Sequence, residues 1–208
     1  MYKGIDISRW NKLEADDLKR IAASGYDFVI IRAGGNNGGY YTDSKFADHY
    51  YNAKAAGLKV GAYYDTGRNF ISSEVGYACA CHFNTLLQGK KFEMPVYFDI
   101  ETVATPYKVG ATDAAITACN MMENLRFYVG IYASDISGFK ERLELERLRK
   151  FTKWVARYGA KPKYVKDFDI WQKSSAGRIK GINGNLDIDI AYVDFESAIK
   201  MKRLNGYA

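Results

Sequence analysis

Short apolar strands alternate with helical segments along most of this 208-residue chain, and this alternation restricts the fold more than any other feature. Five strands are predicted first, at residues 3–8, 28–34, 59–65, 95–101 and 127–133. A helix is predicted after each of them, near residues 13–22, 43–56, 70–87, 112–125 and 137–150, with Thr112 as the N-cap of the fourth. Such alternation is typical of a parallel sheet with both faces covered by helices.

The last third of the chain has a different pattern. Three more strands are predicted at residues 153–158, 168–173 and 186–190, separated by short segments rich in Gly, Lys and Ser. A parallel crossover usually needs about a dozen residues and a helix. We therefore predict eight strands, with five strand–helix units first and three strands without full helices at the end. Residues 193–208 are predicted to form a closing helix and a C-terminal tail.

The alternation of side chains within the strands favours a closed barrel. One face of each strand is apolar, as for packing against helices, and the other carries polar or small residues, as for an interior that opens on a polar mouth. In the first strand, for example, Ile5 and Ile7 alternate with Gly4 and Asp6. The predicted fold class is therefore α/β, a TIM-like (β/α)5(β)3 barrel in a single domain. Active sites of such barrels lie at the C-terminal ends of the strands.

Polar side chains stand at these predicted strand ends, and two carboxyl groups share one of them. Asp99 and Glu101 end the strand at 95–101, and their two-residue spacing points both to the same face. Carboxylates this close cannot both ionise freely, so one pKa should rise, which suits general-acid chemistry on a glycosidic bond. The simpler alternative is that acidic residues stand where strands run out into solvent. The other polar residues near strand ends are Asp6, Arg32, Asp65, Tyr132, Gln172 and Asp187.

The composition limits the classes of protein and partner. A net charge of +6 is compatible with nucleic acid, a membrane surface or a cell-wall polymer and does not choose among them. No apolar run approaches the roughly 18 residues of a membrane span, and the N-terminus lacks the apolar stretch of a signal peptide. The three cysteines do not make a disulfide framework. The segment Cys79–His82 is interpreted as buried thiols in a helix rather than as a metal site.

Eight short motifs stand in order along the chain: Gly4–Ser8, Phe28–Ala33, Gly57–Tyr63, Asp99–Glu101, Gly130–Tyr132, Trp154–Tyr158, Ile170–Gln172 and Gly181–Asp187. In this order and spacing the chain resembles glycoside hydrolase family 25, the lysozymes (muramidases) of bacteria, fungi and phages. The resemblance implies the same barrel and hydrolysis of the β-1,4 bond between N-acetylmuramic acid and N-acetylglucosamine in bacterial peptidoglycan. It implies no metal or other cofactor.

The resemblance also implies roles for individual residues. Glu101 is expected to be the general acid, with Asp6, Asp99 and Asp187 as the other acidic residues of the site. Substrate contacts are expected from residues that match the family's groove or stand at strand ends, namely Arg32, Tyr63, Tyr64, Asp65, Tyr132, Trp154, Tyr158 and Gln172. One catalytic domain over residues 1–208, without a separate wall-binding module, is predicted.

Two departures from the family pattern and two rival functions accompany this prediction. The segment after Tyr63 is unusual, and Asp189 stands where many members have an Asn. Asp99 can support attack by the substrate's own acetamido group with retention, which we favour, or an Asp can activate water with inversion. The rival functions are a non-catalytic glycan-binding barrel and a chitinase-like glycosidase. A chitinase would show another Asp where Tyr97 stands.

Peptidoglycan is the expected partner, whereas nucleic-acid binding and membrane insertion are not expected. The sequence sets no oligomeric state. The protein is expected to act on the cell wall, outside the cell. Because no signal peptide is seen, it would remain in the cytoplasm until holin-type release if it is a phage endolysin.

Overall fold

Nine β-strands form one sheet in the structure, a computed structural model that describes residues 1–207. They are β1 (Tyr2–Ile7), β2 (Phe28–Asn36), β3 (Tyr40–Thr42), β4 (Lys59–Asp65), β5 (Val96–Asp99), β6 (Val129–Ser134), β7 (Thr152–Ala156), β8 (Ile170–Gly177) and β9 (Leu186–Ala191). Their order is β1-β9-β8-β7-β6-β5-β4-β2-β3, and β1 also pairs with β2. That pairing closes eight strands into a barrel. The short β3 stays outside it, as the edge of a hairpin with β2.

Strand direction decides which residues reach the functional end of the barrel. The strands from β1 to β8 that form the barrel run parallel, whereas β9 runs antiparallel to both of its neighbours, β8 and β1. The start of β9 therefore lies at the same rim as the ends of the other strands. Asp187 reaches this upper rim from the beginning of a strand, opposite Asp6. The expectation that it stands at a C-terminal strand end was wrong.

Four helices cover the barrel wall and a fifth closes its lower end. These are α1 (Ala15–Ala23), α2 (Phe46–Ala55), α3 (Ser73–Leu87), α4 (Lys108–Asn124) and α5 (Phe195–Met201). Gly25 and Gly57 follow α1 and α2 with φ of 82° and 80°, a left-handed conformation that glycine adopts at the least cost. The helix α5 lies within the segment predicted to close the barrel, and Ala208 of the predicted tail lies outside the described residues.

The barrel wall separates two apolar layers. The outer face packs against the helices through side chains such as Ile5, Ile31 and Phe98. The lower interior is filled by Phe28, Tyr97 and Trp154, together with Phe195 of α5. This corrects the expectation of polar or small interior residues. The interior of an eight-stranded barrel is just wide enough for side chains to fill, and aromatic rings fill its lower half here.

The helix predicted over residues 137–150 is not formed. Two short turns replace it, a π-helical turn at Asp135–Lys140 and a 3₁₀ turn at Leu145–Leu148. The Asp135 carboxylate accepts hydrogen bonds from the backbone N–H groups of residues 163–165 and from the Arg157 guanidinium, the latter at 2.7 Å. These bonds connect the turn to the loop after β7. Thr112 is not an N-cap either. It lies inside α4, where its hydroxyl donates to the Lys108 carbonyl at 2.8 Å.

The residues after α5 fasten the lower end of the barrel. Asn205 is fully buried, with φ of 53°, and its side chain bonds two separate segments. Its Oδ1 accepts from the Tyr128 amide at 2.7 Å, and its Nδ2 donates to the Met94 carbonyl at 3.0 Å. Close by, the buried carboxylate of Glu93 accepts bonds from Lys54 and Tyr207. The tail therefore helps to hold β5 and β6 together at the end opposite the rim.

Candidate active site

Four acidic side chains meet at the upper rim and open on one pocket. The pocket has a volume of about 190 Å³. It is lined by Asp6, Tyr63, Asp99, Glu101, Tyr132, Trp154, Tyr158, Gln172 and Asp187. Each of these residues was singled out from the sequence, so the structure brings most of the predicted site together.

The ends of neighbouring strands place these acids. Asp6 lies near the end of β1, Asp99 ends β5, and Asp187 begins β9. The chain continues in the direction of β5 for one more residue, because the Ile100 amide donates to the Tyr132 carbonyl at 3.0 Å. Asp99 and Glu101 therefore point into the same pocket, as their spacing predicted.

Asp99 is the deeper of the two carboxyl groups. Its side chain is buried, and its Oδ1 has no hydrogen-bond donor among the described residues. Burial raises the pKa of Asp99 well above its usual range, and the carboxylates of Glu101 and Asp65 raise it further. The Arg32 guanidinium acts in the opposite direction. Asp99 and Glu101 titrate together, so the pair keeps a proton to higher pH than a free carboxyl group would.

Glu101 stands at the mouth of the pocket, where its side chain reaches solvent. The surrounding protein nevertheless raises the pKa of Glu101 by partial desolvation, and the negative charge of Asp65 adds to this. Arg142 opposes the shift. A carboxyl group that is accessible and holds its proton can serve as an acid toward a bound molecule.

A hydrogen-bond network orients Asp6. Gln172 Nε2 donates to Asp6 Oδ2 at 2.7 Å. Gln172 Oε1 in turn accepts from the hydroxyl groups of Tyr132 at 2.8 Å and Tyr158 at 3.3 Å. The amide of Gln172 is therefore fixed by two phenols, and it holds Asp6 in one orientation.

Aromatic rings form the floor and walls of the pocket. Trp154 is buried, and its ring lies 4.4 Å from that of Tyr132 and 6.1 Å from that of Tyr63, measured between centroids. Tyr158 is exposed at the mouth, with 56% of its surface accessible. Rings placed beside polar groups in this way suit a sugar, which has both apolar faces and hydroxyl groups.

Arg32 and Asp65 lie in an adjoining pocket rather than in the acidic one. Arg32 Nε donates to the buried carboxylate of Asp43 at 2.7 Å, and Asp65 accepts from the Tyr41 hydroxyl at 2.9 Å. Tyr64 lies elsewhere. It is fully buried against the helices, and its hydroxyl is 2.9 Å from Nδ1 of His82 in α3. The structure therefore does not place Tyr64 with the other predicted substrate contacts.

The adjoining pocket contains residues that the sequence analysis missed. Trp10 is 73% exposed, and the Arg9 guanidinium lies 4.9 Å from its ring centroid. Together with Arg32, Asp65 and the β2–β3 hairpin, these residues line a volume of about 430 Å³. Their position just after β1, three and four residues beyond Asp6, was the available signal. Asp189 was noticed only as an unusual acid, although it is fully buried directly below the site.

Residues 1–207 hold no group of three or more His, Cys, Asp or Glu side chains arranged to bind a metal ion. No helix in the described chain has the length and apolar character that crossing a bilayer requires.

Comparison with known proteins matches this chain to a family and to several relatives. The family model described as "Glycosyl hydrolases family 25" matches residues 5–182. The autolytic lysozyme of Clostridium acetobutylicum is 29% identical over 188 residues, which are 90% of this chain and 55% of that protein. The chain thus spans little more than half of that relative's length.

Solved structures show the same architecture. The CTP1L endolysin is 27% identical with a TM-score of 0.82, and the match covers 97% of this chain and 70% of that one. A bacterial lysozyme from Streptomyces coelicolor is 25% identical with a TM-score of 0.76, covering 100% of this chain and 98% of that one. The family model matches most of the chain, and the chain therefore belongs to glycosyl hydrolases family 25.

Proposed function

We propose that this protein is a lysozyme that hydrolyses the β-1,4 bond between N-acetylmuramic acid and N-acetylglucosamine in bacterial peptidoglycan. The observation that carries the proposal is the convergence of Asp6, Asp99, Glu101 and Asp187 on one pocket in a family 25 barrel. The names of the relatives, an autolytic lysozyme and an endolysin, support peptidoglycan as the substrate. Residues 1–208 are proposed to act as one catalytic domain, on the wall outside the membrane.

Glu101 is the proton donor in this proposal. It is the accessible member of the Asp99–Glu101 pair, so it can reach the oxygen of the leaving sugar. The raised pKa keeps the proton on Glu101 to a higher pH than on a free carboxyl group. The Arg32 charge favours the ionised form of Asp99 and so opposes the effect of burial on the pKa of that carboxyl group.

Asp99 acts from below the sugar. Its carboxylate orients the 2-acetamido group, whose oxygen attacks the anomeric carbon as Glu101 protonates the leaving oxygen. Water then opens the cyclic intermediate, and the first product keeps the β configuration. If an Asp instead activates water directly, the first product is α, and proton NMR of the freshly released anomer distinguishes the two courses. The proposal includes no metal or organic cofactor.

Substrate contacts surround this centre. Tyr63, Tyr132, Trp154 and Tyr158 offer rings, and Gln172 offers a fixed amide. Arg32 and Asp65 extend the contact surface toward the pocket that holds Arg9 and Trp10. This continuation of the pocket suits a chain of several sugars rather than a single small ligand.

Substitution of Glu101 by Gln tests the function directly. The change keeps the shape and removes the proton source, so release of reducing ends from purified peptidoglycan should fall by about 10²–10⁴-fold. N-acetylmuramic acid should stand at the new reducing ends. The surface variant Asp194→Asn, which keeps a capping side chain at α5, serves as the control. Cleavage of chitin but not of peptidoglycan would favour the chitinase alternative, and binding without any cleavage would favour the glycan-binding alternative.

A further inference from the structure

Asp189 is a buried carboxyl group that the proposed reaction does not use. It lies on β9, is fully buried and does not line the pocket. Trp154 Nε1 donates to its Oδ1 at 2.8 Å. Its Oδ2 is also buried but has no hydrogen-bond donor among residues 1–207. A buried acceptor without a donor is costly, so the surroundings of Asp189 need an explanation.

Asp6 is the group that faces Asp189. In the antiparallel pairing of β1 with β9, Asp6 lies opposite Asp187, whereas Asp189 lies opposite Gly4, one layer below the rim. Asp6 and Asp189 are therefore diagonal neighbours on the same face of adjacent strands, and a hydrogen bond between their carboxyl groups alters the pKa of each. Gln172 holds one oxygen of Asp6 from the β8 side.

Two ionised carboxylates only accept hydrogen bonds, so these two groups can bond to each other only through a proton. A proton on Asp6 supplies the donor that Asp189 lacks and removes the repulsion between two buried charges. Burial, followed by the charges of Asp189 and Asp187, raises the pKa of Asp6 well above its usual range. Burial also raises the pKa of Asp189, to about 8. The bond between them raises the pKa of Asp6 and lowers that of Asp189, which places the proton on Asp6.

The remaining neighbours act on the pair in both directions. The neutral donor Gln172 lowers the pKa of Asp6 and Trp154 lowers that of Asp189, whereas the charge of Asp187 raises both. The positive charge of Arg32 acts on Asp99 and Tyr63, and its guanidinium bonds to Asp43. Four phenols face the pair from the other strands, and each has a raised pKa: Tyr63, Tyr97, Tyr132 and Tyr158. The negative charge of Asp169 contributes to the raised pKa of Tyr97.

We propose that Asp189 is a positioning residue that keeps the Asp6 carboxyl group protonated at neutral pH, so that Asp6 meets the substrate as a neutral group. With one carboxylate charge fewer in the pocket, ionisation of Asp99 becomes easier. The effect on turnover rests on the proposed function. The protonation of Asp6 does not, because it can be measured without any substrate.

Carbon NMR of the aspartate carboxyl groups in the wild type and in Asp189→Asn tests this proposal. In the wild type the Asp6 carboxyl carbon should keep the chemical shift of the protonated form through neutral pH and change only in the alkaline range. In Asp189→Asn the new amide can accept from Trp154 and donate to Asp6, so the Asp6 titration should move to lower pH. The Asp194→Asn control should leave it unchanged. An ionised Asp6 in the wild type at neutral pH, or an unchanged titration in Asp189→Asn, would overturn the proposal.

Two further measurements make the test independent of folding and of substrate. If Asp189→Asn does not fold, Trp154→Phe is the alternative test. This variant lacks the indole N–H that bonds to Asp189 and favours its ionised form, so the alkaline titration of the pair should move to higher pH. A downward shift would contradict the proposal. With active enzyme, Asp189→Asn should turn over wall more slowly than the wild type at slightly acidic pH, and this difference should shrink as the wild-type pair ionises. A constant ratio at every pH would show a purely structural effect. Failure of all variants and of the wild type to cleave wall would reject the proposed function but not the protonation.

Discussion

Replacement of Asp189 by Asn should make the protein more stable at neutral pH, and the gain should depend on pH. In the folded protein the pKa of Asp189 is raised from its ordinary value of 3.8 to about 8, and the proton that it shares with Asp6 lies on Asp6. The folded state therefore binds more protons than the unfolded state between these two values. The contribution of Asp189 to stability is complete at pH below the ordinary value and is lost as the pH rises toward about 8. Asn does not titrate, so it avoids this loss.

The size of the gain follows from the same shift. One pKa unit corresponds to about 1.4 kcal/mol, and neutral pH lies about three units above the ordinary value, so the raised pKa lowers the stability of the folded state by up to about 4 kcal/mol at neutral pH. Asp189 shares its hydrogen bond with Asp6, and the cost is divided between the two groups. We therefore expect Asp189→Asn to raise the free energy of unfolding by about 2–4 kcal/mol at neutral pH, with almost no gain near pH 4.

Urea unfolding at a series of pH values, followed by circular dichroism, measures this difference. The two proteins should have similar midpoints in acid and diverge steadily as the pH rises. Asp194→Asn changes the same functional group at an exposed helix cap and should not reproduce the gain. Parallel curves for the wild type and Asp189→Asn across the whole pH range would refute the reasoning, because they would mean that Asp189 titrates alike in both states.

Three further predictions concern the site and the tail. Asp99→Asn should lower kcat more than it raises KM, because the charge on Asp99 matters most as positive charge develops in the transition state. Steady-state kinetics on soluble glycan fragments measure both constants, and an equal effect on the two would contradict this prediction. Trp10→Ala should raise KM with little change in kcat or stability, whereas Trp10→Phe should keep most of the substrate binding. Identical KM values for the two variants would mean that Trp10 does not contact the substrate. Asn205→Ala should lower the free energy of unfolding by about 3 kcal/mol, because two buried hydrogen bonds are lost. Urea titration measures this change, and a loss below about 1 kcal/mol would mean that the tail does not stabilise the barrel.

The barrel and the acidic pocket could be predicted because they depend on local regularities. Period-two alternation marks each strand, and the ends of parallel strands meet at one rim. The same alternation could have excluded Tyr64. Tyr63 points into the pocket, so its neighbour must point toward the helices. Tyr64 stands near the end of β4, but on the face that packs against the helices.

Other features depend on distant contacts that no local pattern carries. Residues 137–150 have a helical pattern, but the chain forms separate turns there. The Asp135 carboxylate, at the start of the first turn, is hydrogen-bonded to the backbone of the loop after β7. The direction of β9 is set by pairing with β8 and β1, not by its own sequence. The unusual acid at Asp189 was visible in the sequence, but its burial below Asp6 required the folded barrel.

The reversal of β9 also determines where this groove can be enlarged. In an ordinary strand–helix unit, the segment that leaves the rim must descend as a helix, so an insertion there disturbs the outer shell. The segment between β8 and β9 instead leaves the rim and returns to it, as a hairpin beside Asp187. Added pairs of residues would lengthen this hairpin above the mouth without changing a helix or the register of the barrel. Variation among enzymes of this architecture, and designed changes in the length of glycan they accept, should therefore concentrate in this hairpin.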